Sequence, residues 1–186
     1  MADPTVDKVI LGVDPGTRLL GYGLLGVKGT KMYLIQHGVI HLAKYKSHAL
    51  KLQKIFLKLT QLIEAYSPDE MALESPFYGQ NIQVALKLGR AQGVAMAAAL
   101  VKDIPIVEYA PRKIKQSVTG NGNASKEQVA AMLGKLLMFD HTQSEALDAT
   151  DALGVAVCHH FQGSSKTQGK HKSWAAFLKE NPDRLQ

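Results

Sequence analysis

Between Lys8 and Ile40 the apolar residues fall into three short runs with very little chain between them. Lys8–Asp14 (KVILGVD) stops at Pro15-Gly16, and Tyr22–Val27 is parted from Met32–Ile40 by Lys28-Gly29-Thr30. β-rich runs joined so tightly predict an antiparallel meander. The period then changes: from Ser47 to Tyr66, Leu50, Ile55, Leu59, Leu62 and Ile63 recur at helical spacing, with Lys51, Lys54 and Lys58 together on the other face, as in an amphipathic helix. Ser67-Pro68 ends it, Glu70–Glu74 (EMALE) reads as a short buried strand, Asn81–Val101 as an alanine-rich helix and Ile104–Tyr109 as a fifth strand. Beyond Pro111 the pattern is helical around a loop at Thr119–Ala124. Capping-box spacings stand at Ser125/Gln128 and Thr142/Glu145, the second opening a last helix to about Phe161. This order predicts an α/β fold, a mixed five-stranded sheet flanked by helices.

At 186 residues and 46% hydrophobic, the chain carries apolar side chains enough for one core. Residues 1–162 are expected to form that domain. Residues 163–186 are rich in Gly, Ser, Gln and Lys and hold half of the net charge of +6, so they are expected to form a flexible basic tail. Trp174, Phe177 and Leu178 leave open an apolar helical face that docks on a partner. The lone Cys158 excludes a disulfide scaffold and a thiolate zinc site. The most apolar run, Gly93–Val101, falls short of the ~20 residues a bilayer span needs. No basic segment leads into an apolar one after Met1-Ala2-Asp3-Pro4, so the expectation is a cytoplasmic protein without a membrane partner. The excess of positive charge favours a polyanionic partner.

Gly21-Tyr22-Gly23-Leu24-Leu25-Gly26 spells the dinucleotide fingerprint GxGxxG, but inside a strand pattern and with no helix opening within it. These glycines are expected instead to permit close backbone approach or a bulge. Four carboxylates are better placed for chemistry. Asp14 ends the first strand and Glu74 the fourth, while Asp148 and Asp151, three apart in LDATDALGVAV, share the helix face that continues into Leu147, Val155 and Cys158. Inward-facing acids without an adjacent Lys or Arg are costly, and a divalent cation would offset the cost. An all-oxygen donor set favours Mg²⁺, with Mn²⁺ as substitute. Two such ions about 4 Å apart would activate a water and stabilise the leaving oxygen of a phosphodiester. The residues alone leave a second reading open, in which each acid is a separate cap or surface group.

Gly12-Val13-Asp14-Pro15-Gly16-Thr17-Arg18 through Gly21-Tyr22-Gly23, Ala72–Phe77 (ALESPF), Ala85–Gly89 (ALKLG) with Gly93-Val94-Ala95, and Asp148–Leu153 (DATDAL) follow one another in this order. Over about Lys8 to Phe161 the chain closely resembles the RuvC family of Holliday-junction resolvases. The resemblance implies a ribonuclease-H-like fold, a homodimer, and Mg²⁺-dependent symmetrical nicking of four-way DNA junctions with 5′ phosphate and 3′ hydroxyl products. It also implies a branch-migration helicase complex as partner. Asp14, Glu74, Asp148 and Asp151 match the family's catalytic metal ligands, and Lys115 and Lys126 match lysines used at the scissile strand, Lys115 as a further catalytic candidate.

Phe77 and Tyr78 follow Glu74; an exposed aromatic there would stack on a base or wedge between strands, and the family links an aromatic at the position of Phe77 to junction opening. The alternative is a cap on the core. Arg112, Lys113, Lys115 and Lys126 flank the Gly-Asn loop and suit phosphate contacts, although Arg112 and Lys113 also fit a solvated helix face. Gly89, Gly93 and Ala97 form a smooth stripe that would pack on the chain's own sheet or on a second subunit. His159-His160 and the spaced His37, His41 and His48 form no ligand set with the acids and are expected to be surface or partly buried. Two rivals remain: Asp14-Pro15-Gly16-Thr17 also resembles the first phosphate loop of actin-like ATPases and sugar kinases, which need a second such domain, and a junction-binding module would use the acids structurally.

Overall fold

A computed structural model describes residues 6–76, 81–140 and 146–166. Strands β1 (Lys8–Asp14), β2 (Leu19–Lys28) and β3 (Lys31–His41) form the expected antiparallel meander. Helix α1 (His48–Tyr66) leads to β4 (Glu70–Glu74), α2 (Ile82–Leu100) to β5 (Ile106–Tyr109), and α3 (Pro111–Thr119), α4 (Lys126–Leu137) and α5 (Ala146–Lys166) follow. The sheet order is β3-β2-β1-β4-β5, with β4 and β5 parallel to β1.

Local chemistry accounts for the boundaries. Ser47 and Asn81 cap α1 and α2 through their side chains, and Ser125 with Gln128 forms the expected capping box on α4. β2 begins at Leu19, earlier than its apolar run, because Leu19 and Leu20 pair with His41 and Ile40. β5 begins later than expected, at Ile106, since Pro105 has no N–H to give a ladder. The Thr142/Glu145 signal lies outside the described residues. Helix α5 runs on to Lys166, beyond the expected end at Phe161 and into the stretch read as tail; a single Gly163 costs a helix only about 1 kcal/mol.

Two apolar layers enclose the sheet. One face packs Leu11, Val13, Leu24, Met71 and Leu73 under α1 and α2. The other packs Ile10, Leu25 and Ala72 under α3, α4 and α5. The strand glycines set how closely α5 approaches: a Cβ on Gly12 would stand 2.2 Å from the Ala152 carbonyl oxygen, and one on Gly23 2.8 Å from the Leu153 Cα. Close backbone approach is therefore the use of the GxGxxG run, and the ladder shifts register between Leu24 and Leu25.

Candidate active site

β1 and β4 are parallel neighbours with Val13 opposite Leu73. Asp14 and Glu74, one residue further on each strand, therefore leave the same end of the sheet side by side. Gly21, opposite Asp14 on β2, lets the first turn of α5 descend onto this end and delivers Asp148 and Asp151 from above. Asp14, Glu74 and Asp151 line a cleft of about 90 Å³ with Pro111, Ile114 and Lys115 of α3 and Lys126 and Val129 of α4. Asp151 is the enclosed aspartate, its side chain 15% exposed, while Asp148 stands at the rim at 44%. Asp148 also borders a groove with Asp14, Gly16, Thr17, Arg18, Leu19 and Ala43.

The two aspartates are not without a basic neighbour. Lys126, far from them in sequence, hydrogen-bonds Asp151 through its ammonium and stands 3.6 Å from Asp148. This corrects the expectation drawn from local sequence, because the compensating charge comes from another helix. The loop before Lys126 is fixed by its own hydrogen bonds: Gln116 donates to the Gly120 carbonyl at 2.6 Å and accepts from the Gly122 N–H at 3.0 Å. Asn121 N–H donates to Thr119 Oγ1 at 3.1 Å.

The electrostatics are those of crowded acids. Burial, then the charges of Asp151 and Asp148, raise Asp14 to about 6 against the lowering pull of Lys126. Burial and then Asp14 and Asp151 raise Glu74 to about 8, with Lys126 and Lys115 opposing. Burial also raises Asp151, partly countered by the Lys126 hydrogen bond. Burial would lower Lys126, but its bond to Asp151 and the neighbouring acids outweigh that and raise it. Carboxylates crowded in this way repel one another; all donors are oxygen, and the ligand that suits them is a hard divalent ion. Among the described residues no three acidic or histidine side chains already converge as a finished coordination sphere. The donor set, all carboxylate oxygen, fits a divalent metal.

Lys115 lines the cleft, whereas Arg112 and Lys113 lie exposed on α3 outside its lining. The Arg112 stem packs where a Cβ on Gly122 would go. Phe77 and Tyr78 lie outside the described residues. A second polar cluster went unread in the sequence. His159 is buried rather than at the surface or only partly covered as expected; its Nδ1 and the Tyr109 hydroxyl are hydrogen-bonded at 2.8 Å and its Nε2 bonds Glu70, which also pairs with Lys8 at 2.5 Å. Apart from Glu70 opening a strand, nothing in the local pattern singles these residues out.

The family model for crossover junction endodeoxyribonuclease RuvC matches residues 10–159. A protein of Cytophaga hutchinsonii named crossover junction endodeoxyribonuclease RuvC is 64% identical over 97% of this chain and 90% of its own length. One of Porphyromonas gingivalis with the same name is 54% identical over 96% of this chain and 97% of its own. Among solved structures, T. thermophilus RuvC in complex with Holliday junction substrate superposes with a TM-score of 0.79 at 29% identity, covering 86% of this chain and 97% of that one. These matches establish the ribonuclease-H-like fold and imply the use of a divalent metal. A sheet that sets two acids at adjacent strand ends, and a helix that adds two more, thus belong to a chain that is a member of the RuvC crossover junction endodeoxyribonuclease family.

Proposed function

We propose that this nuclease is a Mg²⁺-dependent Holliday-junction resolvase that nicks two strands of a four-way DNA junction symmetrically, serving recombination and repair. The observation that carries the reading is the cleft in which Asp14, Glu74 and Asp151 meet beside Lys115 and Lys126, in a chain of this family. Asp14, Glu74, Asp148 and Asp151 are the residues that would hold the metal, two Mg²⁺ ions or Mn²⁺ in their place. When bound, these ions supply Lewis acidity toward the phosphate and a more acidic water.

The chain's own groups do the rest. Asp14 lines the cleft with Glu74 and Asp151 and the groove with Asp148, so it would be the donor available to metal held on either side. Lys115 offers a positive charge to the scissile phosphate from α3, and the apolar walls Ile114 and Val129 narrow access for bulk water. Lys126, Arg112 and Lys113 extend the basic surface for flanking phosphates. Phe77 and Tyr78, just after Glu74, are read as the aromatics that stack at the crossover.

Two cuts require two sites, and the fold supports a homodimer. Ile82, Leu86, Gly89, Gly93, Ala97 and Leu100 follow one face of α2 at helical spacing and are all exposed. A Cβ on Gly89 or Gly93 would meet nothing within 4 Å, so the stripe does not pack on the chain's own sheet. A two-fold pairing through it would bury this surface. A branch-migration helicase complex is the further partner that family membership suggests. No helix among the described residues is long and apolar enough to cross a membrane, and we place the reaction in the cytoplasm.

The test is cleavage of a labelled synthetic four-way junction, with and without Mg²⁺, beside a linear duplex of the same arms. Paired symmetrical nicks that need Mg²⁺ and vanish in Asp148→Asn are expected. Junction binding without cleavage at any divalent ion would replace this reading with a binding module.

A further inference from the structure

We propose that Lys126 is a resident counter-cation: its ammonium holds the α5 aspartates in the metal-free site and is displaced from them when a divalent ion binds. This inference rests on the nuclease reading above.

The geometry supports an exchange rather than a permanent ion pair. The Lys126 ammonium bonds Asp151 and stands 3.6 Å from Asp148, so it bridges two of the four donors. A metal ion and the ammonium therefore compete for the same oxygens, and two cations at hydrogen-bonding range of one carboxylate repel. Something must move.

Lys126 is the piece free to do so. Its backbone is pinned as the first residue of α4 by the Ser125/Gln128 capping box and by the hydrogen-bonded Thr119–Ala124 turn. Its side chain is 53% exposed, with a flexible four-carbon stem and an open route to water. Helix electrostatics give no reason for a lysine there, because a cation in the first turn opposes the helix dipole. The partners across the cleft supply the reason. Asp14, Glu74 and Asp151 come from two strand ends and a packed helix and have far less freedom. Once displaced, the ammonium remains tethered at the cleft mouth, within reach of a backbone phosphate.

The experiment uses the full chain without DNA. Mn²⁺ binding is measured by calorimetry and electron paramagnetic resonance for wild type, Lys126→Met and, as a control on the same cleft, Lys115→Met. Amine acetylation of Lys126 in wild type is followed by mass spectrometry with and without Mg²⁺. Displacement predicts Mn²⁺ affinity tighter by roughly tenfold or more in Lys126→Met, with a threefold change or less in Lys115→Met. It also predicts faster acetylation of Lys126 when Mg²⁺ is added. Unchanged affinity in Lys126→Met, equal tightening in both variants, or acetylation that slows with Mg²⁺ would overturn the counter-cation role while leaving the nuclease reading intact. Wild type that binds no Mn²⁺ at millimolar concentration would overturn both.

Discussion

Gly21 and Asp148 meet backbone to backbone: a Cβ on Gly21 would stand 2.3 Å from the Asp148 carbonyl oxygen. No side chain fits between the strand and the helix at that point, so the absence of one sets how far Asp148 and Asp151 lie from Asp14. Gly21→Ala is expected to push the first turn of α5 outward, destabilising the fold by about 1–3 kcal/mol and lowering junction cleavage by roughly a hundredfold. Gly163→Ala, whose Cβ meets nothing within 4 Å, should leave cleavage unchanged and, by removing a glycine from α5, stabilise the fold by up to about 1 kcal/mol. Urea melts and single-turnover cleavage of the pair check the claim; equal activity in Gly21→Ala would detach the glycine from the site's geometry.

The crowded acids set a pH dependence for the metal-free protein. Asp14 is raised to about 6 and Glu74 to about 8, chiefly by burial. A carboxyl that holds its proton more tightly folded than unfolded stabilises the fold at low pH, and that contribution is lost as pH rises through the folded value. Without metal, stability attributable to these two groups should therefore decline from about pH 4 to about pH 8. Asp14→Asn should flatten the lower part of this decline, by on the order of 2 kcal/mol, while abolishing cleavage, and Mg²⁺ should restore wild type at neutral pH. Denaturation curves in EDTA from pH 4.5 to 8.5 measure the difference; parallel curves for the two proteins would mean that the Asp14 proton carries no such cost.

How much of this could be read from the sequence follows from the range of the interactions. Asp14, Glu74, Asp148 and Asp151 were visible because each interrupts an apolar pattern of its own element, and an acid in such a place needs a reason. The GxGxxG run was separable from a nucleotide loop because strand periodicity continued through it. The Lys126–Asp151 pair was not legible, since it joins α4 to α5 across the cleft and neither residue's neighbours announce the other. His159 was passed over for the same reason: its partners Glu70 and Tyr109 are on β4 and β5, and only the strand order places them beneath it. Whether the α2 stripe faced inward or outward depended on which side of the helix α1 covers, a tertiary fact.

The His159 cluster should act on stability at a distance from catalysis. Burial alone would raise Glu70, but its bonds to Lys8 and His159 and their charges prevail and lower it. A depressed carboxylate stabilises the fold above its unfolded value near 4.5, and this is lost as pH falls below it. Glu70→Gln should thus melt below wild type at pH 7, and the deficit should shrink as pH falls below 4.5. His159→Ala should cost about 1–3 kcal/mol at pH 7 by leaving the partly buried Tyr109 hydroxyl without this partner. Thermal melts across this range decide it: a Glu70→Gln deficit that stays constant to pH 3.5 would exclude the charged network as its source.

The outward stripe on α2 yields a prediction about assembly. Gly93→Arg adds bulk and charge where nothing of the chain's own lies within 4 Å, so secondary structure should be retained while self-association is lost. Sedimentation velocity is expected to show a dimer for wild type and a monomer for Gly93→Arg, with paired nicking falling at least tenfold in the variant. A wild type that sediments as a monomer at micromolar concentration would remove the dimer.

The lysines of α3 separate binding from chemistry. Lys115 lines the cleft, while Lys113 is exposed on the same helix outside it. If both touch junction phosphates, replacing either by Ala should reduce the slope of log affinity against log salt by about 0.9. Only Lys115→Ala should also slow cleavage under saturating junction, by roughly 10²-fold, because its charge acts where negative charge develops. Affinity would be measured in an Asp148→Asn background, so that the junction stays uncut, at several salt concentrations, and single-turnover rates in the Lys115 and Lys113 variants alone. A Lys113→Ala slope equal to wild type would assign that face of α3 to solvent. A Lys115→Ala rate equal to wild type would restrict Lys115 to binding.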